Sequence, residues 1–131
     1  MAKNRNTVLV VEDDKNLSKM LDFLFVAKGL ATVSAGDGAE ALRLMERTKP
    51  QAVILDLMMP VMDGYEFLRR MKADDKWRDL PVVVLSALPS EQKKDEVMNL
   101  GAADYFEKPF KSTELVSAVV NLIEKSEKSP G

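Results

Sequence analysis

Acidic side chains follow two of the most apolar runs in the sequence. The run "VLVV" leads into Glu12, Asp13 and Asp14, and the run "AVIL" leads into Asp56. A carboxylate that ends a buried run is unfavourable without partners, and two carboxylates about 4 Å apart repel by roughly 4 kcal/mol at an effective dielectric constant near 20. A cluster of these acids therefore needs a cation. Because the chain has no cysteine and no histidine, only oxygen ligands are available, and they favour a hard ion such as Mg²⁺.

A hydroxyl and an ammonium group occupy equivalent positions in two other runs. Ser86 follows "VVVL" and Lys108 follows "DYFE". A phosphoryl group beside these side chains and a metal would be positioned and neutralised, which is most of what phosphoryl transfer requires. A carboxylate can itself be the nucleophile and become an aspartyl phosphate.

Each of these residues also has a simpler structural interpretation. The acids after the first run could cap the next helix, whose positive end favours carboxylates. Ser86 alone is typical of a turn, and Lys108 alone of a solvated surface. Asp56 is the hardest to explain in this way, and the combination of residues favours a functional site.

Strands and helices must alternate for these side chains to meet. The pattern predicts strands at Val8–Val11, Thr32–Ala35, Ala52–Leu55, Val82–Leu85 and Asp104–Glu107, separated by stretches of helical period. Strand–helix alternation with short connections is typical of a parallel sheet covered on both faces.

The composition of each strand indicates its place in the sheet. The first, third and fourth strands are apolar throughout and belong in the interior, whereas "TVSA" alternates and "DYFE" is flanked by charge, so these two are edges. This predicts an α/β, doubly wound, five-stranded parallel sheet of order 2-1-3-4-5 with helices on both faces (flavodoxin-like). Such folds bind ligands beyond the carboxyl ends of their strands.

Composition excludes several classes of protein. The 131 residues suit one domain, and 19 basic against 21 acidic residues give no excess charge for nucleic acid or an anionic membrane. No apolar run approaches the ~20 residues of a membrane span, and "MAKNRNT" lacks the apolar segment of a signal peptide. We therefore expect a cytoplasmic protein with one domain over residues 1–131, a core at about 7–125, and loose ends at 1–6 and 126–131.

Four sequence blocks resemble the receiver domain of two-component response regulators. They are "VLVVEDD", "ILDLMMPVMDG", "VVVLSA" and "DYFEKPF", in family order and at family spacing over about residues 7–125. The resemblance implies a domain that is switched by phosphorylation and catalyses its own phosphorylation and dephosphorylation, rather than a turnover enzyme.

The resemblance also implies a role for each matching residue. Asp56 matches the phospho-acceptor, and Mg²⁺ is expected at Asp13 and Asp56, at Glu12 through water, and at the backbone carbonyl of Met58. Ser86 and Lys108 match the residues that bind the phosphoryl group. Ser86 and Tyr105 match the switch pair, in which Tyr105 moves inward on phosphorylation. The Lys108–Pro109 bond is expected to be cis.

Partners follow from the same resemblance. The phosphoryl donor is expected to be a histidine kinase or a histidine phosphotransfer protein. The surface of the fourth helix, fifth strand and fifth helix is expected to contact an output protein or domain, or a second copy of the chain. Direct nucleic acid binding and membrane binding are not expected.

Two other functions remain open at this point. One is a pseudo-receiver, which has the same fold and only binds partners. The other is a metal-dependent phosphatase, which would need a second acid near the nucleophile, where Met58 stands. The chain could also be a receiver fragment of a larger regulator.

Three local patterns give further expectations. Leu17, Met20, Leu21 and Leu24 predict the core stripe of the first helix, and Phe23 and Val26 lie off it, where they could contact the kinase. Ser112 is expected to cap the fifth helix. The second apolar stripe of that helix, Val116, Val120 and Ile123, is explained more simply by a broad core contact than by a partner.

Overall fold

Strands and helices alternate along the chain, as predicted. The computed structural model describes residues 6–57, 64–87 and 91–128, with side chains throughout except at 91–93 and 127–128. Within these residues the strands are β1 Thr7–Val11, β2 Ala31–Ala35, β3 Ala52–Asp56, β4 Val82–Ser86 and β5 Asp104–Glu107. The helices are α1 Lys15–Val26, α2 Gly38–Thr48, α3 Gly64–Ala73, α4 Glu91–Asn99 and α5 Ser112–Lys128.

The strands form one parallel sheet of order β2-β1-β3-β4-β5. The predicted topology is confirmed, including the edge positions of β2 and β5. All side chains of β3 and β4 are buried, whereas β2 is mostly half-buried. Apolar composition on both faces therefore did identify the interior strands.

Strands β3 and β4 extend one residue further at their carboxyl ends than predicted. Asp56 is the last residue of β3 and Ser86 the last residue of β4. Their backbones stay in the ladder, where Asp56 is paired with Leu85 and Ser86 with Glu107. Both polar side chains are thus held by strand geometry rather than by a turn.

Two apolar cores lie on opposite faces of the sheet because successive strand side chains alternate between faces. On one face Leu9 and Val11 pack with α2, α3 and α4. On the other Val8 and Val10 pack with α1 and α5. Helices cover both faces, as expected of a doubly wound fold.

The predicted core stripe of α1 is correct at three positions and wrong at one. Leu21 is buried and Leu17 and Leu24 are half-buried against the core, but Met20 is 41% exposed. Phe25, which the predicted stripe did not include, is fully buried in the core in place of Met20. Leu21 and Phe25 are four residues apart and share one side of the helix, whereas Met20 is rotated about 100° from Leu21.

Helix α5 contributes a broad face to the core. Leu115, Val116, Val119 and Ile123 are buried, and Val120 packs beside them. The simpler interpretation of its second apolar stripe is confirmed.

The predicted cap of α5 is wrong by one residue. Ser112 is the first residue of the helix, and the carbonyl of Lys111 accepts the first helical hydrogen bond, from the amide of Leu115 at 3.1 Å. Lys111 therefore occupies the N-cap position.

Among the described residues, no helix is both long enough and apolar enough to cross a bilayer.

Candidate functional site

The carboxyl ends of four neighbouring strands bring the candidate residues together. Glu12 follows β1, Asp56 ends β3, Ser86 ends β4 and Lys108 follows β5. These strands are consecutive neighbours in the sheet. The backbone amide of Lys108 donates to the carbonyl of Ser86 at 2.7 Å, which fixes the last two ends side by side.

Three acids form a cluster at this edge. Glu12, Asp13 and Asp56 each contribute a carboxylate oxygen, and these three oxygens lie within 4.8 Å of one another. Glu12 and Asp56 are buried, whereas Asp13 is exposed. The cluster is thus open to solvent on the Asp13 side and closed on the other.

Lys108 lies over the two buried acids. Its Nζ is 3.0 Å from Glu12 Oε1 and 3.4 Å from Asp56 Oδ2. Among the ion pairs of the described residues, Lys108 is the cation that meets these acids, and its one positive charge is fewer than the three negative charges of the ionised carboxylates. The Lys108–Pro109 peptide bond is cis, as the resemblance implies.

The electrostatics of the cluster raise the pKa of Glu12 from 4.5 to about 7. Burial is the largest cause, and the hydrogen bond and charge of Asp56 act in the same direction. Hydrogen bonds from Lys108 and from the amide of Asp14 oppose the rise without cancelling it. Burial lowers the pKa of Lys108, but its ion pairs with Glu12 and Asp56 outweigh burial and raise it.

Asp14 has the structural role that we considered for the acids after β1. Its Oδ1 accepts from the amides of Asn16 at 2.9 Å and Leu17 at 3.2 Å, so it is the N-cap of α1. The capping interpretation is therefore right for Asp14, while Glu12 and Asp13 belong to the cluster.

The two residues predicted to form the switch pair lie on β4 and β5. Ser86 is buried at the end of β4, one strand away from Asp56. Tyr105 is only 8% exposed and packs in the core beneath α4. An inward movement of Tyr105 would therefore start from a side chain that is already buried. Met58 lies outside the described residues.

The ion pair between Glu12 and Lys108 was not predicted from the sequence. We expected Lys108 to bind a phosphoryl group and to neutralise the acids in part, without a preferred partner. The shorter of the two distances joins Lys108 to Glu12, at 3.0 Å against 3.4 Å to Asp56. No sequence signal distinguishes Glu12 from Asp56 as the nearer partner.

The donor set of the cluster fits Mg²⁺. All three side chains offer carboxylate oxygens, and Mg²⁺ typically binds one or two carboxylates while keeping several waters. Asp13 is exposed, so solvent reaches the cluster on its side.

Comparison with known proteins decides the family. The family model for the response regulator receiver domain matches residues 8–120. The chain belongs to this family. Receiver domains act in two-component signalling, and phosphorylation and Mg²⁺ binding are general features of them.

The relatives resemble the chain over nearly its whole length. The DNA-binding response regulator MtrA of Mycolicibacterium smegmatis is 38% identical over 128 residues, which cover 96% of this chain and 54% of MtrA. The chain spans about half the length of several curated relatives that it matches.

Two solved receiver domains share the fold. The receiver domain of the Francisella response regulator 1452 has a TM-score of 0.87 at 34% identity and covers 93% of this chain and 99% of that one. The receiver domain of the sensor histidine kinase PA1611 of Pseudomonas aeruginosa has a TM-score of 0.82 at 28% identity. The match covers 92% of this chain and 99% of that one. That structure has a magnesium ion coordinated in its active-site cleft.

Proposed function

We propose that this receiver domain accepts a phosphoryl group on Asp56 from a phosphohistidine of a partner protein, with Mg²⁺ as cofactor. The observation that carries the proposal is the cluster of Glu12, Asp13 and Asp56 beside Lys108, in which three carboxylate oxygens lie within 4.8 Å of one another. Such a cluster is unfavourable without additional positive charge. A metal ion and a phosphoryl group would complete it.

Asp56 is the nucleophile in this proposal. One of its carboxylate oxygens forms a bond to phosphorus while the phosphorus–nitrogen bond of the phosphohistidine breaks, and the electron pair leaves with the imidazole nitrogen. Lys108 can form an ion pair with the phosphoryl group on Asp56, because its Nζ lies 3.4 Å from Asp56 Oδ2. The Ser86 hydroxyl, at the end of the neighbouring strand β4, donates a hydrogen bond to the same phosphoryl group in this proposal.

Glu12, Asp13 and Asp56 are the side chains that would hold Mg²⁺, with the carbonyl of Met58 as a further ligand by family resemblance. The ion, when bound, supplies positive charge to the phosphoryl oxygens. The magnesium ion of the Pseudomonas aeruginosa receiver domain supports the same cofactor here.

The output of the switch is proposed to pass through α4, β5 and α5, either to an output protein or domain or to a second copy of the chain. MtrA is a DNA-binding regulator, so the absence of nucleic acid binding that the composition suggests stays a prediction for this chain. The cytoplasmic location stays a prediction as well.

One incubation separates the proposal from its alternatives. The protein is mixed with acetyl phosphate and Mg²⁺, and its intact mass is followed over time, with Asp56→Asn as the matched control. We expect one phosphoryl group on the wild type and none on the variant. No adduct on the wild type would favour a pseudo-receiver, and steady hydrolysis of the donor without an adduct would favour a phosphatase.

A further inference from the structure

Gly64, the first residue of α3, lies against the backbone that carries Asp56. A Cβ atom at position 64 would be 2.7 Å from the Cα of Leu57, 3.0 Å from the carbonyl oxygen of Asp56 and 3.0 Å from Cδ2 of Leu57. Contacts of 2.7 Å to a backbone atom do not occur in folded proteins without a shift of that backbone. Glycine is therefore required here by close approach.

The close approach belongs to a closed junction between β3 and α3. The amide of Gly64 donates to the carbonyl of Leu57 at 3.1 Å, which holds the start of α3 against the residue that follows β3. Leu57 is itself fixed to β4, because its amide donates to the carbonyl of Leu85 at 3.1 Å. A shift of Leu57 would consequently move Asp56, which precedes it, relative to the neighbouring strand.

We propose that Gly64 is a positioning residue for phosphorylation of Asp56. It allows α3 to begin directly on Leu57, and this contact fixes the position of the Asp56 carboxylate at the end of β3. The inference rests on the proposed function for the role of Asp56. Any side chain at position 64 must displace Leu57, the carbonyl of Asp56 or the start of α3, and a shift at the end of β3 would move the Asp56 carboxylate within the acidic cluster.

Gly64→Ala tests the inference through metal binding as well as phosphorylation. Misplacement of a reacting group by about 1 Å can reduce a rate by about 100-fold, so we expect phosphorylation by acetyl phosphate to slow by roughly 10- to 100-fold. We also expect the Kd for Mg²⁺, measured by titration calorimetry on the metal-free protein, to rise by about tenfold, because a group that orients a metal ligand is disturbed.

Two control variants test whether an added methyl group elsewhere, or a loss of stability alone, would produce the same effect on Mg²⁺ binding. Gly36→Ala makes the same change where an added Cβ meets only a side-chain oxygen at 3.9 Å, and it should leave Mg²⁺ binding unchanged. Met71→Ala removes a buried side chain from the same helix, far from the junction along the chain. It should lower the denaturant midpoint without changing the Kd for Mg²⁺, which separates positioning from lost stability.

The outcomes are decisive for this residue whatever becomes of the proposed function. If Gly64→Ala binds Mg²⁺ as the wild type does, or changes no more than Met71→Ala, the inference is wrong. If the wild type itself is not phosphorylated, the proposed function fails, while the Mg²⁺ comparison still decides the role of Gly64.

A measurement on the wild type covers the case in which Gly64→Ala does not fold. If metal binding requires the closed junction, hydrogen exchange of the Gly64 amide should slow by a factor of 1 + [Mg²⁺]/Kd, about tenfold at ten times the Kd. The Gly36 amide, which donates to Glu40 Oε1 at 2.8 Å, should not change. An unchanged exchange rate at Gly64 overturns the inference.

Discussion

Glu12 and Asp56 are buried carboxylates that both pair with Lys108, and burial and their mutual repulsion oppose the ionisation of Glu12. Lys108 can stabilise one negative charge well and two only in part. Burial, together with the hydrogen bond and charge of Asp56, outweighs the pairing with Lys108 and raises the pKa of Glu12 to about 7. Function and stability are thus opposed at these residues.

Asp56→Ala is expected to stabilise the metal-free protein above pH 7, where Glu12 is ionised. Removal of one carboxylate relieves repulsions of up to a few kcal/mol, less where water screens them. The stabilisation by Mg²⁺ that the wild type gains by mass action should largely disappear. Urea unfolding with and without Mg²⁺ measures both effects.

The opposite sign is expected if Asp56 is a structural carboxylate that satisfies buried donors. Its truncation would then cost roughly 1 to 3 kcal/mol. A metal-free variant less stable than the wild type, with an unchanged Mg²⁺ increment, would falsify the site described here.

Mg²⁺ binding should release a proton from Glu12 near pH 6 and none well above pH 7. Because the folded pKa of Glu12 lies above its usual 4.5, the stability that its proton contributes is present below pH 4.5 and is lost as the pH rises through about 7. A cation at the cluster displaces that proton. The apparent Mg²⁺ affinity should therefore increase as the pH rises toward 7 and then level off.

Titration calorimetry in two buffers of different ionisation enthalpy counts the released protons. The matched variant is Glu12→Gln, which keeps a side chain of the same size and does not titrate. It should release no proton near pH 6. Equal proton release from wild type and variant would assign the titration to another group.

At the scale of elements, α1 presents an apolar surface that the core does not use. Phe23 is 74% exposed, Val26 46% and Met20 41%, whereas Leu21 and Phe25 of the same helix are buried. The helix starts at Lys15, directly after the acidic residues, so a protein bound along it would reach the edge where Asp56 lies. An exposed aromatic side chain of this kind is typical of an interaction site.

Phe23→Ala should weaken phosphorylation by a histidine phosphotransfer protein or kinase that phosphorylates the wild type. Loss of a central aromatic contact typically costs more than about 1 kcal/mol, or about tenfold in Kd. Phosphorylation by acetyl phosphate should be unchanged, since this donor needs no docking surface. Met98→Ala, at a 39% exposed position on α4, is the control for removal of surface apolar area.

An equal loss with both donors would show that Phe23 acts on the site rather than on the partner. An unchanged rate with the protein donor would remove α1 from the docking surface.

The elements differ in how far the sequence predicts them. The strands were predictable because full burial on both faces leaves runs such as "AVIL" and "VVVL", which differ from the alternating edge strand "TVSA". Helix α1 was harder, because Met20 and Phe25 are both apolar and only packing against the sheet decides which of them is buried. Ser112 is a residue type that favours N-caps, but it is the first residue of α5, so the N-cap position falls on Lys111.

At the scale of the whole molecule, the position of the site was predictable because parallel strands end at one edge. The sequence order of the strands and their apolar character together imply that Glu12, Asp56, Ser86 and Lys108 converge there. Distances between elements were not predictable. The preference of Lys108 for Glu12 and the approach of Gly64 to Leu57 depend on how α3 and β5 pack, which no single stretch of sequence encodes.

The location of the phosphoryl group tests the central claim most directly. The protein is incubated with acetyl phosphate and Mg²⁺, treated with borohydride, which reduces an aspartyl phosphate to homoserine, and digested for tandem mass spectrometry. We predict homoserine at position 56 and at no other acidic residue, and none without Mg²⁺ or in Asp56→Asn. Homoserine at Asp13 or at another carboxylate, or equal labelling of the Asp56→Asn variant, would contradict the account.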